Sequence, residues 1–311
     1  MFKKVLFATN ASRACDNAAR AAFDFAARWG SKLIIFHVIG VPTRGFSPFI
    51  TDSRTGEDYH MDEDYGQWVE EEIRSAYESL LEKDVDAAIK TAVGQPYREI
   101  LRIAREKDVD MVIMGAHSDD PDPGDSARPG SAGSAMRRVA KAARCPVMVV
   151  NRPVPEGQDF FSRVVVGTDF SKSANFALQW ARKLAVKSGA RLHVFHALDI
   201  SAEIMSGTHS QVETEKRVKQ AKRRMETDRA ARPDDSVKMD FEVWEGVPYV
   251  EILKFARVKQ ADLIVMAHHT KEPGAGFEDP TLGSVTEQVA LRSACPVASV
   301  NHPDKALDQS L

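Results

Sequence analysis

Cysteine is scarce in this chain: Cys15, Cys145 and Cys295 are the only three in 311 residues. They make no CxxC pair and no even set, which excludes a disulfide framework and reads as buried thiols in a reducing compartment. Long hydrophobic runs are missing too. No stretch reaches the roughly 20 apolar residues that a bilayer-spanning helix needs, and the opening MFKKVLFATN has too few apolar residues after its two lysines for a signal-peptide core. Neither sign of charge dominates. With 42 Lys and Arg against 45 Asp and Glu, a formal charge of -3 and a pI near 6.3 leave no basic field for phosphate backbones or anionic membranes. The expectation is a cytoplasmic protein with neither nucleic acid nor membrane as a partner.

Catalytic signatures are equally sparse. No GxSxG elbow, Walker loop or HExxH helix occurs, and no Ser, His and Asp set assembles from spacing, so no catalytic residue is assigned. His193 and His196 lie three apart in one strand and so point to opposite faces, and His268 with His269 reads as an exposed or hydrogen-bonded pair. No metal site is expected.

What the chain does contain is itself, twice. GQPYREILRIA at 94–104 returns as GVPYVEILKFA at 246–256, with seven of eleven positions identical. VDMVIMGAH (109–117) answers QADLIVMAHH (260–269), GSAMRRVAKAARCPVMVVN (133–151) answers GSVTEQVALRSACPVASVN (283–301), and VLFATN (5–10) answers VVVGTD (164–169). A period of about 150 residues is the size of a whole domain rather than of a solenoid repeat. Two tandem domains follow, residues 1–152 and 160–302, with a proline-bearing linker at 153–159 and a tail at 303–311.

Within each copy, β-branched runs alternate with helical patterns, the signature of βαβ units and a parallel sheet. Strands are expected at Val5 to Thr9, Leu33 to Val38, Ala87 to Val93, Met111 to Gly115 and Val147 to Val150. In the second copy they fall at Val164 to Thr168, Leu192 to Ala197, Met239 to Trp244, Leu263 to Ala267 and Val297 to Val300. Several are continuous apolar runs, as strands covered on both faces require. Pro96 and Pro248 sit where a first helical turn loses no amide hydrogen bond. The stretch 41–68 has no clear periodicity, is acidic toward its end, and reads as a lid, a partner surface or a solvated loop.

Three features together resemble the universal stress protein family: a first strand ending in Thr-[Asp/Asn]-x-Ser, a later strand ending near Gly-x-His, and Gly133-Ser134 and Gly283-Ser284 each followed at the same interval by Cys-Pro-Val. The resemblance covers nearly the whole chain. It implies an α/β fold of two tandem Rossmann-like domains of the adenine nucleotide alpha hydrolase-like type. Each would be a five-stranded parallel sheet of order 3-2-1-4-5 with helices on both faces. Such sheets bind ligands outside the carboxyl ends of the strands where the winding direction reverses.

In nucleotide-binding members the aspartate after the first strand contacts adenine, and a G-x-x-G-x9-G-[ST] loop wraps the phosphates. Its last pair opens a helix whose amides face them. Carried onto the second copy, the resemblance marks Thr168, Asp169, Ala197, Ala267, Thr270, Gly283, Ser284 and Val285; in the first it marks Thr9, Asn10, Val38, Gly115, Ser118, Gly133 and Ser134. Both copies depart from the pattern. Ala267 and Thr270 replace the first two glycines of copy two, while Asn10 and Ser118 replace the aspartate and second glycine of copy one. Both loops are longer than the pattern and acidic, through Asp119, Asp120, Asp122 and Asp125 in one and Glu272, Glu278 and Asp279 in the other. The second site is the better preserved. Asp169 also reads as a turn residue, with Ser171 and Ser173 as candidate helix caps, and Ser134 and Ser284 as caps likewise.

Three function classes follow: a stress-response binding protein that senses ATP or another adenine nucleotide, an ATP-using enzyme with slow hydrolysis or autophosphorylation at Ser284, and a nucleotide-independent scaffold. The resemblance also implies association of the two domains through their last strands, PVMVV and PVASV, and a possible homodimer.

Overall fold

The continuous apolar runs of the sequence are the buried strands. A computed structural model describes residues 1–40, 49–51, 58–60, 63–116, 133–155, 160–230, 237–267 and 284–302. The chain divides into two compact units, Met1–Glu156 and Gly157–Leu311.

Unit one runs β1 (Lys4–Thr9), α1 (Asp16–Trp29), β2 (Lys32–Gly40), β3 (Phe49–Thr51), β4 (Asp58–His60), α2 (Glu63–Ala76), α3 (Glu78–Leu81), β5 (Ala87–Gly94), α4 (Pro96–Glu106), β6 (Met111–Gly115), α5 (Ser134–Ala142) and β7 (Val147–Val150). Unit two runs β8 (Arg163–Gly167), α6 (Lys172–Ser188), β9 (Arg191–Leu198), α7 (Ser201–Ser206), α8 (Gln211–Ala230), β10 (Met239–Glu245), α9 (Pro248–Val258), β11 (Leu263–Met266), α10 (Ser284–Arg292) and β12 (Val297–Ser299).

In unit one the strands pair in parallel as β5-β2-β1-β6-β7. Unit two repeats this as β10-β9-β8-β11-β12. All ten strands expected from the sequence are present, with ends displaced by at most two residues. Successive side chains on a strand point to opposite faces, so the unbroken burial of β6, β7 and β11 requires cover on both faces. Helix α1 supplies part of it through Ala18, Ala22, Phe25 and Ala26.

The strongest repeat in the sequence has a steric cause. Gly94 ends β5 and Gly246 directly follows β10, with φ of 154° and 138°, a region that favours glycine. A Cβ on Gly94 would stand 2.9 Å from Cγ of Glu99, and one on Gly246 the same distance from Cγ of Glu251. Each glutamate folds under the glycine from the first turn of the following helix, which a proline opens. Gly-x-Pro-Tyr-x-Glu is thus a strand-to-helix joint.

One segment differs from the expectation. Within 41–68, β3 and β4 form an antiparallel pair, and α2 already begins at Glu63. Strands of three residues are too short to show a period, and the buried apolar spacing of α2, Val69 and Ile73, starts only beyond the segment.

Candidate functional site

Strand register brings the marked residues together. In unit two Gly167 lies beside Phe195 and Val166 beside Val265, so Thr168 and Asp169 follow at the carboxyl ends, level with Ala197 and Ala267. In unit one Thr9 lies beside His37 and Ala8 beside Met114, which puts Asn10 level with Val38 and Thr9 level with Gly115. β1 and β8 connect to one neighbour on each side, so these are the points where the winding reverses.

The helices that should face a phosphate also arrive there. Gly133 N donates to Ala116 O at 3.0 Å, tying the start of α5 to the end of β6. Thr286 Oγ1 donates to Ala267 O at 3.1 Å and does the same for α10 and β11. Ser134 and Ser284 are the first residues of these helices, and Gly133, not a serine, is the capping residue of α5. Val285 stands second in α10. Ser118, Thr270, Gly283 and the His268–His269 pair lie outside the described residues, as do the acidic residues of both loops.

Each first-strand turn is braced in the same way. Thr9 Oγ1 accepts from Ala11 N at 2.9 Å and Asn10 Oδ1 from Ser12 N at 3.2 Å. Thr168 Oγ1 accepts from Phe170 N at 3.1 Å and Asp169 Oδ1 from Ser171 N at 2.9 Å. These side-chain bonds hold Ala11 and Phe170 at φ of 56° and 63°, a conformation non-glycine residues rarely adopt. His37 Nδ1 donates to Thr9 O at 3.0 Å, and His196 Nδ1 to Thr168 O at 2.8 Å. A carbonyl only accepts, so both rings carry a hydrogen on Nδ1. The sequence reading weighed His196 for metal and overlooked His37; the repeated Phe-His pair, 36–37 and 195–196, was the available signal. His193 binds elsewhere, its Nδ1 lying 2.7 Å from Oδ1 of Asp240.

The turns differ in what surrounds them. Ser171 caps α6 by accepting from Ala174 N at 3.1 Å, whereas Ser12 makes no side-chain cap. Phe170 packs near both the His196 ring, 4.6 Å away, and the Arg224 guanidinium, 4.2 Å from its centroid. Burial, opposed by the bond to Thr168 O, moves the His196 pKa below its ordinary value, with the Arg224 charge adding to the fall. In unit one Tyr77 reaches from the α2–α3 junction to place its hydroxyl 2.6 Å from Thr9 Oγ1, and burial raises the phenol pKa. Asn10 Oδ1 also accepts from Cys15 Sγ at 3.1 Å. Helix α10 has Glu287 in its first turn; that of α5 has no acid.

These two like-built turns, at the switch points of parallel sheets with helices packed on them, define an α/β protein of the Rossmann-like class. The description "Universal stress protein family" matches residues 1–151 and again 161–301, so the chain belongs to that family, as a tandem of two of its domains. Two universal stress proteins of Methanocaldococcus jannaschii are similar. One is 29% identical over 180 residues, 55% of this chain and 99% of the relative; the other is 27% identical over 157 residues, 45% and 94%. A crystal structure of a universal stress protein from Archaeoglobus fulgidus matches 97% of both chains with a TM-score of 0.64 at 21% identity, a likeness of fold.

Proposed function

We propose that the protein is a regulatory, ligand-sensing member of its family and that unit two takes an adenine nucleotide at the end of β8. The observation that carries this reading is that the exposed Asp169 and the start of α10, tied to Ala267 by Thr286, stand at the same carboxyl end of the sheet. A carboxylate accepts hydrogen bonds from an exocyclic amine such as that of adenine, and helix amides favour phosphate. Ala267, Thr168 and Ala197 are the walls at this position. Glu287 in the first turn of α10 opposes a highly charged phosphate tail, which favours nucleotides with fewer negative charges.

Unit one is the weaker site for a chemical reason. Asn10 Oδ1 is already occupied by Ser12 N and Cys15 Sγ, so its side chain meets an exocyclic amine with an amide donor. Donor against donor gains nothing.

Calorimetry with AMP, cAMP, ADP and ATP on the full chain tests the proposal. Binding of one of them with about 10-fold weakening in Asp169→Asn, which keeps the Oδ1 turn bond and removes the charge, is the expected result. Flat traces for all four nucleotides, or equal affinity in Asp169→Asn, would overturn it.

A further inference from the structure

Between their second and third sheet strands the two copies carry long helices of opposite electrical character. In unit one that helix is α2, with five carboxylates and one arginine in 14 residues. In unit two it is α8, with seven Lys and Arg and four carboxylates in 20 residues. Duplication began with one sequence at this place, and the present pair is complementary in sign.

The charges face outward. Met225 and Thr214 seat α8 on its unit, leaving Val212, Lys216, Lys219 and Arg223, spaced i, i+4, i+7 and i+11, along the exposed side. Among the described residues Lys216 meets Glu213 alone, at 3.8 Å with both side chains more than half exposed. Among the described residues Lys219, Lys222 and Arg223 make no ion pair. Val69 and Ile73 seat α2, leaving Trp68, Glu71 and Glu72 exposed, with Glu78 just beyond. Among the described residues Glu71, Glu72 and Glu78 make no ion pair either.

Each stripe also starts with an apolar side chain. Trp68 is 39% exposed and Val212 80% exposed, and each lies four residues before a charge of the stripe, Glu72 or Lys216. Laid parallel, the two helices set Trp68 on Val212 and Glu72 on Lys216, with Glu71 and Glu78 flanking the rest of the cationic side. We propose that this is an interface between copies of the chain: α2 of one molecule docks on α8 of another. A second copy presents the opposite charge four residues after an exposed apolar side chain, as Glu72 follows Trp68 and Lys216 follows Val212. Nucleic acid is the poorer occupant, because α8 has no aromatic side chain to stack on a base and the chain as a whole is negative.

Sedimentation velocity on the full chain tests this through charge reversal. One variant carries Lys216→Glu, Lys219→Glu and Arg223→Glu; another carries Glu71→Lys, Glu72→Lys and Glu78→Lys. All six sites are exposed, and circular dichroism checks that both variants fold. Wild type is expected to self-associate, less so as salt rises from about 0.05 to 0.5 M. Each variant alone is expected to associate about 100-fold more weakly, since three modest attractions become repulsions. An equimolar mixture should recover association, because every stripe then meets its opposite. A monomeric wild type, association indifferent to both variants, or a mixture that stays monomeric would overturn the proposal. So would variants that keep self-association while the first loses binding to RNA or to phosphatidylserine vesicles. None of these readouts depends on nucleotide binding.

Discussion

Among the described residues of unit two, Gly246→Ala should cost more stability than any other glycine-to-alanine change at a positive φ. Two terms add. A backbone held at φ 138° charges a side-chain-bearing residue about 1 to 3 kcal/mol. The new Cβ also falls 2.9 Å from Cγ and Oε1 of Glu251, so that side chain must swing out. It then loses its 2.8 Å pair with Lys254, which is 60% exposed, at a cost of at most about 1 kcal/mol. The sum is about 1 to 4 kcal/mol. Gly189→Ala is the control: its φ is 74°, no atom lies within 4 Å of the added Cβ, and about 1 kcal/mol is expected. Urea unfolding followed by fluorescence of Trp180 and Trp244, with Trp29 and Trp68 replaced by Phe, reports on unit two. Adding Glu251→Ala to Gly246→Ala should recover the steric share and leave the backbone share, a coupling of roughly 1 kcal/mol. If Gly246→Ala is no worse than Gly189→Ala, or if Glu251→Ala brings no relief, the strand-to-helix joint is not what this repeat encodes.

Two further outcomes follow from titrating groups. The folded His196 pKa lies below its unfolded value of about 6.5, so the unfolded chain takes up the proton first and stability is lost as pH falls through about 6.5. Comparing urea midpoints of wild type and His196→Gln from pH 8 to pH 5 should show a steeper decline in wild type; parallel curves would refute it. Burial pushes the Cys295 thiol up to about 11. At pH 8 it then holds roughly 200-fold less thiolate than a free cysteine and should react with a disulfide reagent slower by about that factor. Labelling at the free-cysteine rate would contradict this.

The strands were legible because their cause is local: β-branched apolar runs have few other places to go. The repeat made them legible twice, and the order of the sheets then follows from the family likeness. The joint at Gly94 and Gly246 was visible as identity but not as geometry, since nothing in a string of letters shows that a glutamate five residues on lies beneath the glycine. Positive φ at Ala11 and Phe170 left no letter at all, because side-chain bonds from Thr and Asx, rather than glycine, support it. Tyr77 was hidden for a different reason: its contact with Thr9 spans 68 positions, and its helix begins inside a segment without readable periodicity.

The pattern of what the halves share separates scaffold from specificity. Both keep the threonine that braces the turn, the histidine that holds its carbonyl, and the aspartate, Asp110 or Asp262, that accepts from the backbone at the start of the first strand. All of these act on main-chain atoms. What differs stands at the end of the first strand or points away from the fold: Asn10 against Asp169, and the acidic stripe of α2 against the basic one of α8. A duplicated domain that only decayed would lose bracing and ligand contacts alike, because loss of a buried brace and loss of a surface contact both arise by single substitutions. Here the bracing is intact in both copies while the facing groups have changed in kind, from an acceptor to an amide and from one sign of charge to the other. On the function proposed above, the changed group at this turn predicts that Asn10→Asp will raise nucleotide affinity in unit one without lowering its stability by more than about 1 kcal/mol.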